Sequence, residues 1–128
     1  MKKLVFWIGV YDLISGFTLF FPDLHAALGV TAPQSIVLSE LVALLLMWLG
    51  LALVLCSHNL AERGAIVYWS GVFRLMFFIH LTWFGFMAGY GVMLGVFGLV
   101  DLAIGLIILV GLPRAVGRTP GQLLLDKA

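Results

Sequence analysis

Four long apolar stretches, separated by short polar or glycine-rich segments, dominate this sequence. They cover residues 4–21, 36–56, 65–88 and 92–112. Each is close to the ~20 residues that a helix needs to cross the hydrocarbon core of a bilayer. A membrane barrel would require alternating apolar and polar residues, and that alternation is absent. We therefore expect an all-α integral membrane bundle of four transmembrane helices over residues 1–112, followed by a short tail at residues 113–128.

The overall composition agrees with this pattern. Hydrophobic residues make up 63% of the 128 positions and charged residues 10%, and the mean hydropathy is +1.19, which is typical of membrane proteins and not of soluble domains. The net charge is only +1, so the chain lacks the basic surface that a nucleic-acid partner would need. The single cysteine, Cys56, excludes an internal disulfide. The lipid bilayer is thus the first expected partner.

The basic residues predict an orientation. In a four-crossing arrangement, one side of the membrane receives Lys2, Lys3, Arg63, Arg114, Arg118 and Lys127. The two loops on the other side contain neither lysine nor arginine. By the positive-inside rule, the N-terminus, the C-terminus and the tail are cytoplasmic.

An eight-residue pattern, Gly-x-x-Asp-Leu-x-x-Gly, occurs at residues 9–16 and again at residues 98–105. Each copy places an aspartate, Asp12 or Asp101, inside an apolar stretch where charge is costly. On a helix, the two glycines of each copy lie on the same face as the aspartate and leave room for a neighbouring helix. The third stretch carries the opposite charge, Arg74, three residues after a glycine.

These three charges are predicted to form one layer. With a rise of about 1.5 Å per residue, Asp12, Arg74 and Asp101 lie about 12–16 Å from the cytoplasmic boundary. Because a guanidinium can engage two carboxylates, we expect a buried ion network. One interpretation is that this network only sets the register of the helices. The other is that two acids against one arginine leave a surplus negative charge, which a proton or a cation would balance.

A second polar group is predicted nearer the opposite boundary. Glu40 and His80 lie about 22–24 Å from the cytoplasmic side, and Trp83 shares an aromatic face with His80. One interpretation is that this face is an apolar stripe that contacts lipid or another subunit. It also fits a groove for a quinone, a lipid or a pigment, with His80 as the polar anchor. A haem held by two histidines is disfavoured, because His58 lies about 22 Å below His80.

The pattern at residues 9–16, the Phe73-Arg74-Leu75 segment and the glycine-rich fourth stretch with Asp101 carry a family resemblance. In these features the chain resembles the small four-helix bacterial membrane proteins of the DoxX type, over most of its length. The resemblance implies a bacterial cytoplasmic (inner) membrane location and an accessory or quinone-associated role, without a transferable active site. Glu40 and His80 also give a fainter likeness to membrane-embedded sterol-isomerase-type bundles.

Three functions remain as hypotheses. The sequence has no nucleophile–base pair, phosphate loop or zinc-ligand spacing, so we predict no catalytic residue and no metal site. The leading hypothesis is a non-catalytic accessory or assembly subunit of a larger membrane complex, such as an energy-transducing one, or a homo-oligomer. The second is a small membrane enzyme or binding protein for a quinone, isoprenoid or lipid that uses Glu40 and His80. The third is a proton or cation pathway through the ion network.

Overall fold

The structure, a computed structural model, describes residues 1–127, and this part of the chain contains helices but no strand. Its elements in order are α1 (Lys2–Thr18), α2 (Pro22–Ala27), α3 (Ile36–His58), α4 (Leu60–Thr82), a π-helical turn (Trp83–Met87), α5 (Val92–Val116) and α6 (Pro120–Leu124). The predicted all-α class is therefore confirmed.

Within residues 1–127, three helical segments are long and apolar enough to cross a membrane. They are α3 with 23 residues, α4 with its π-helical extension, together 28 residues, and α5 with 25 residues. Their length and hydropathy indicate a helical membrane protein in contact with lipid. Helix α1 has 17 residues and is shorter than these three. The count of four crossings and the orientation of the termini stay predictions.

The four long helices are arranged as two pairs, α1 against α3 and α4 against α5. Glycines bring the helices of each pair close together. A Cβ atom added at Gly9 would lie 2.6 Å from the carbonyl oxygen of Gly50, and one added at Gly71 would lie 2.8 Å from the side chain of Ile108. Small residues allow this approach, which in a membrane supplies much of the packing energy between helices.

One end of the bundle holds the start of α1, the short helix α6 and the link between α3 and α4, which is Asn59 alone. A cluster of buried apolar side chains fills this end and includes Val5, Ile8, Leu53, Cys56, Leu60, Val67, Tyr68, Ile108, Leu112 and Leu123. Helix α6 is held against α4 because Trp69 Nε1 donates a hydrogen bond to the Leu124 carbonyl at 3.1 Å. The opposite end contains the two remaining connections.

Those two connections contact each other. The backbone amide of Thr31 donates to the carbonyl of Tyr90 at 2.8 Å, and so joins the segment after α2 to the turn before α5. Gly91 in that turn has a φ of 127°, which only glycine adopts readily. The long helices therefore alternate in direction between two ends of one bundle.

Several helix ends differ from the predicted spans. Helix α4 begins at Leu60 instead of residue 65, and α5 continues through Pro113 to Val116. An apolar run marks the part of a helix that suits the hydrocarbon core, whereas the backbone hydrogen bonds can continue into polar sequence such as Glu62 and Arg63. Helix α5 ends at Val116, and the next residue, Gly117, has a φ of 68° and terminates it in the left-handed conformation.

Candidate functional site

The guanidinium of Arg74 contacts both aspartates of the repeated pattern. Its Nη2 donates to Oδ2 of Asp12 at 2.5 Å, and its Nη1 donates to Oδ1 of Asp101 at 2.5 Å. The side chains of Arg74 and Asp12 are only 4% and 1% exposed, whereas that of Asp101 is 15% exposed. Charge-assisted hydrogen bonds of this kind are about twice as strong as neutral ones. The structure thus brings these three predicted residues together.

This network joins the two helix pairs. Asp12 belongs to α1, in the first pair, while Arg74 and Asp101 belong to α4 and α5, the second pair. The main chains of the two pairs approach each other less closely than the main chains within each pair. The long arginine side chain spans this wider separation, and its planar fork holds one carboxylate from each pair.

The glycines of the two pattern copies contact different helices. In the first copy, a Cβ added at Gly16 would lie 2.9 Å from the carbonyl oxygen of Ala43 in α3. In the second copy, a Cβ added at Gly105 would lie 3.1 Å from the carbonyl oxygen of Gly71 and 3.3 Å from the Cβ of Arg74 in α4. Only the second copy therefore makes room for the helix that carries the opposite charge.

The network has a surplus negative charge and one hydrogen-bond donor without a partner. Two carboxylates and one guanidinium sum to a formal charge of −1, and within residues 1–127 the buried Nε of Arg74 has no hydrogen-bond partner. An unsatisfied buried donor costs about 1–3 kcal/mol. Chemically, the network suits a bound proton or small cation together with a polar group that accepts from Nε.

Tyr11 is a residue of this region that sequence reasoning missed. It is half-buried, lies close to the Ser15 side chain and feels the charges of all three network residues. Its position directly before Asp12 in the first pattern copy was the available signal. A phenolic hydroxyl can both donate and accept a hydrogen bond, so it adds a neutral polar group beside the ion network.

The structure does not bring the predicted residues Glu40 and His80 together. Glu40 and His80 are both exposed, and no hydrogen bond or ion pair joins them within residues 1–127. The His80 ring lies 4.6 Å from that of Phe84. Trp83 lines an open apolar groove of about 440 Å³ with Phe78, Ile79, Thr82, Phe86 and Met87. Neither Glu40 nor His80 lines this groove, so quinone or lipid binding by that group stays a prediction.

Comparison with family models, curated proteins and solved structures finds no match to this chain. The resemblance to DoxX-type proteins therefore stays a prediction. Across residues 1–127, no group of three or more His, Cys, Asp or Glu side chains is placed to hold a metal ion. The function is accordingly inferred from the geometry of the helices and of their charged residues.

Proposed function

We propose that this protein is a small four-helix membrane protein with cytoplasmic termini, which serves as a non-catalytic accessory subunit of a larger membrane complex. One observation carries the proposal. The carboxylate-bearing side chain of Glu40 is exposed on a helix whose neighbouring exposed residues are apolar. These neighbours lie on both sides of it along α3: Ile36, Val37, Leu38, Leu41, Val42, Leu44 and Leu45.

A carboxylate in such a position favours a protein partner. At the centre of a membrane helix an acidic residue costs about 2.5–3.5 kcal/mol on an insertion scale, and Glu40, in the second turn of α3, bears a smaller cost of the same kind. Ionisable residues in transmembrane segments accordingly pair with other groups in nearly all known cases. A donor from a neighbouring subunit would satisfy Glu40, and the exposed His80 on α4 offers a second polar contact of the same kind.

The four-crossing arrangement rests on the alternating helices. Helix α1 is about 26 Å long at 1.5 Å per residue, and the apolar residues 19–21 extend its apolar length toward that of the hydrocarbon core. The start of α1, the segment after α5 and the α3–α4 link lie at one end of the bundle, and this end carries every lysine and every arginine except Arg74. The positive-inside rule then favours a cytoplasmic location for that end, in a bacterial inner membrane.

Native electrophoresis of the tagged protein, solubilised gently from its own membranes, tests the subunit role. We expect migration as a complex larger than the monomer. Glu40→Leu should release the monomer, because it removes the polar contact. Asp23→Asn should leave the complex intact, because it removes an exposed acid on α2, outside the proposed contact face. Migration of the wild-type protein as a monomer would contradict the proposal.

A proton or cation pathway is a second candidate, favoured by the surplus negative charge of the Asp12–Arg74–Asp101 network. A membrane-embedded acid that can gain and lose a proton is the usual component of such a relay. Purified protein in liposomes that contain a pH-sensitive dye, or a dye selective for the cation, provides the test. Proton or cation flux that is lost in Asp12→Asn and kept in Asp23→Asn would support the pathway. Equal flux in the wild type and in Asp12→Asn would contradict a pathway through the network.

A further inference from the structure

An open groove of about 320 Å³ lies between the beginning of α1 and the end of α3. It is lined by Lys2, Lys3, Phe6, Trp7, Ser57 and His58. The Phe6 and Trp7 rings form an edge-to-face pair with centroids 5.5 Å apart, and Trp7 is 64% exposed. The groove thus combines two ammonium groups with an aromatic wall.

The lysines are the cations available to a ligand in this groove. Ser57 Oγ donates to the Val54 carbonyl at 2.6 Å, and the Nδ1 of His58 bonds to the same oxygen at 3.0 Å. Lys2 and Lys3 make no hydrogen bond or ion pair within residues 1–127, and no acidic residue lines the groove. A ligand with negative charge is therefore complementary to it.

The position of the groove determines the source of that charge. It opens at the last turn of α3, a helix long and apolar enough to cross a membrane, and at the end of the bundle that collects the basic residues. Trp side chains at such positions sit at the level of lipid headgroups. A molecule that contacts both the lysines and the aromatic wall would carry a phosphate group, which the lysines would bind, next to a hydrocarbon part, which the aromatic wall would contact.

We propose that this groove binds the headgroup of an anionic phospholipid in the adjoining leaflet. Lys2 and Lys3 donate to the phosphate oxygens, and Phe6 and Trp7 contact the beginning of the acyl chains. Basic pockets between transmembrane helices recognise anionic headgroups through this chemistry. A zwitterionic lipid also carries a cationic amine, for which the groove offers no acid. The site requires only that the helices lie in a membrane, so its test is independent of the accessory-subunit role.

Native mass spectrometry of the purified protein in an uncharged detergent tests the site. Phosphatidylglycerol and phosphatidylcholine are titrated separately, and the bound lipid is counted. We expect retention of phosphatidylglycerol and little of phosphatidylcholine. Lys2→Ser/Lys3→Ser should weaken binding of phosphatidylglycerol about 30-fold, since it removes two favourable contacts to an anionic headgroup. Both lysines are exposed, so the variant should fold.

A matched control separates a defined site from general surface charge. Arg114→Ser/Lys127→Ser also removes two exposed positive charges from the same end of the bundle, but these residues do not line the groove. It should retain wild-type binding. An equal loss in both double variants would overturn the proposal, as would equal retention of phosphatidylcholine.

Inorganic phosphate distinguishes a lipid from a free anion. Thermal unfolding in detergent should shift upward with phosphatidylglycerol and remain unchanged with inorganic phosphate, because phosphate alone gains nothing from Phe6 and Trp7. An equal shift with both would assign the groove to a free anion and overturn the lipid site.

Discussion

The α1–α3 pair and the middle of the α4–α5 pair both depend on glycines, but the atoms that these glycines meet are different. Added Cβ atoms at Gly9 and Gly50 would lie 2.6 Å from carbonyl oxygens of the opposite helix. At Gly71, the nearest atoms belong to the side chain of Ile108, and at Gly105 the closest backbone oxygen is 3.1 Å away. At these positions the first pair is held by contact between main chains, while the middle of the second pair has its closest contact with the side chain of Ile108.

The two aspartates, one from each helix pair, differ in their exposure. Asp12, from the first pair, is almost completely buried, while Asp101 keeps some exposure. Arg74 lies in the second pair and bonds to both. The first pair therefore presents the more buried carboxylate, and the second pair contributes the cation together with the more accessible acid. Substitutions that affect one side more than the other test this comparison.

The largest effect is expected for Arg74→Leu. It leaves the buried Asp12 and the partly buried Asp101 without their cation, and removing one partner of a buried ion pair costs about 3–5 kcal/mol. The free energy of unfolding, measured by titration with a denaturing detergent, should fall by that amount. The triple variant Arg74→Leu/Asp12→Asn/Asp101→Asn removes the uncompensated charge and should recover most of the loss. Wild-type stability of Arg74→Leu would show that the network does not hold the pairs together.

Gly50→Ala and Gly105→Ala compare the two pairs directly. The added methyl group at Gly50 meets main-chain atoms, and we expect a loss of about 1–3 kcal/mol, as for other overpacked sites. Gly105→Ala should cost less, since its nearest neighbours are farther away. Gly121→Ala is the control, because nothing lies within 4 Å of its added Cβ. A larger loss for Gly105→Ala than for Gly50→Ala would contradict this difference between the two contacts.

Asp12→Asn and Asp101→Asn compare the two carboxylates. Each variant converts a charge-assisted hydrogen bond into a neutral one and leaves one acid to balance Arg74. We expect a loss of about 1 kcal/mol for Asp12→Asn, which weakens the link between the pairs, and a smaller loss for Asp101→Asn. The same unfolding titration measures both. Equal losses would mean that the difference in exposure has no energetic consequence.

The smallest effect is expected for Thr119→Ala, which affects only the second pair. The Thr119 side chain accepts a hydrogen bond from the backbone N–H of Gln122, as part of a capping box at the start of α6. Its loss should cost about 0.5–1 kcal/mol and loosen α6 from α4. Amide exchange should then rise around Trp69 and Leu124 while α1 and α3 keep their protection. A change in α1 or α3 would indicate that the pairs are coupled through α6.

The sequence by itself determined the helical class, the approximate depth of each charge and the end of the bundle that carries the basic residues. Apolar runs of this length allow little besides membrane helices, because a backbone in lipid must satisfy its own hydrogen bonds. The rise per residue of a helix is constant, so Asp12, Arg74 and Asp101 were predictable as residues of one layer. Their occurrence in three different apolar stretches made their convergence a specific expectation.

Only the tertiary structure decided which helices form pairs and which faces they bury. Depth along a helix says nothing about rotation about its axis, so Glu40 and His80 were predicted at a similar depth although the structure leaves both exposed and apart. The glycines of residues 9–16 face α3 while Asp12 reaches Arg74, because the choice of neighbour depends on the shapes of all four long helices at once. The groove beside Lys2 and Lys3 has the same origin, since it exists only where the first turn of α1 meets the last turn of α3.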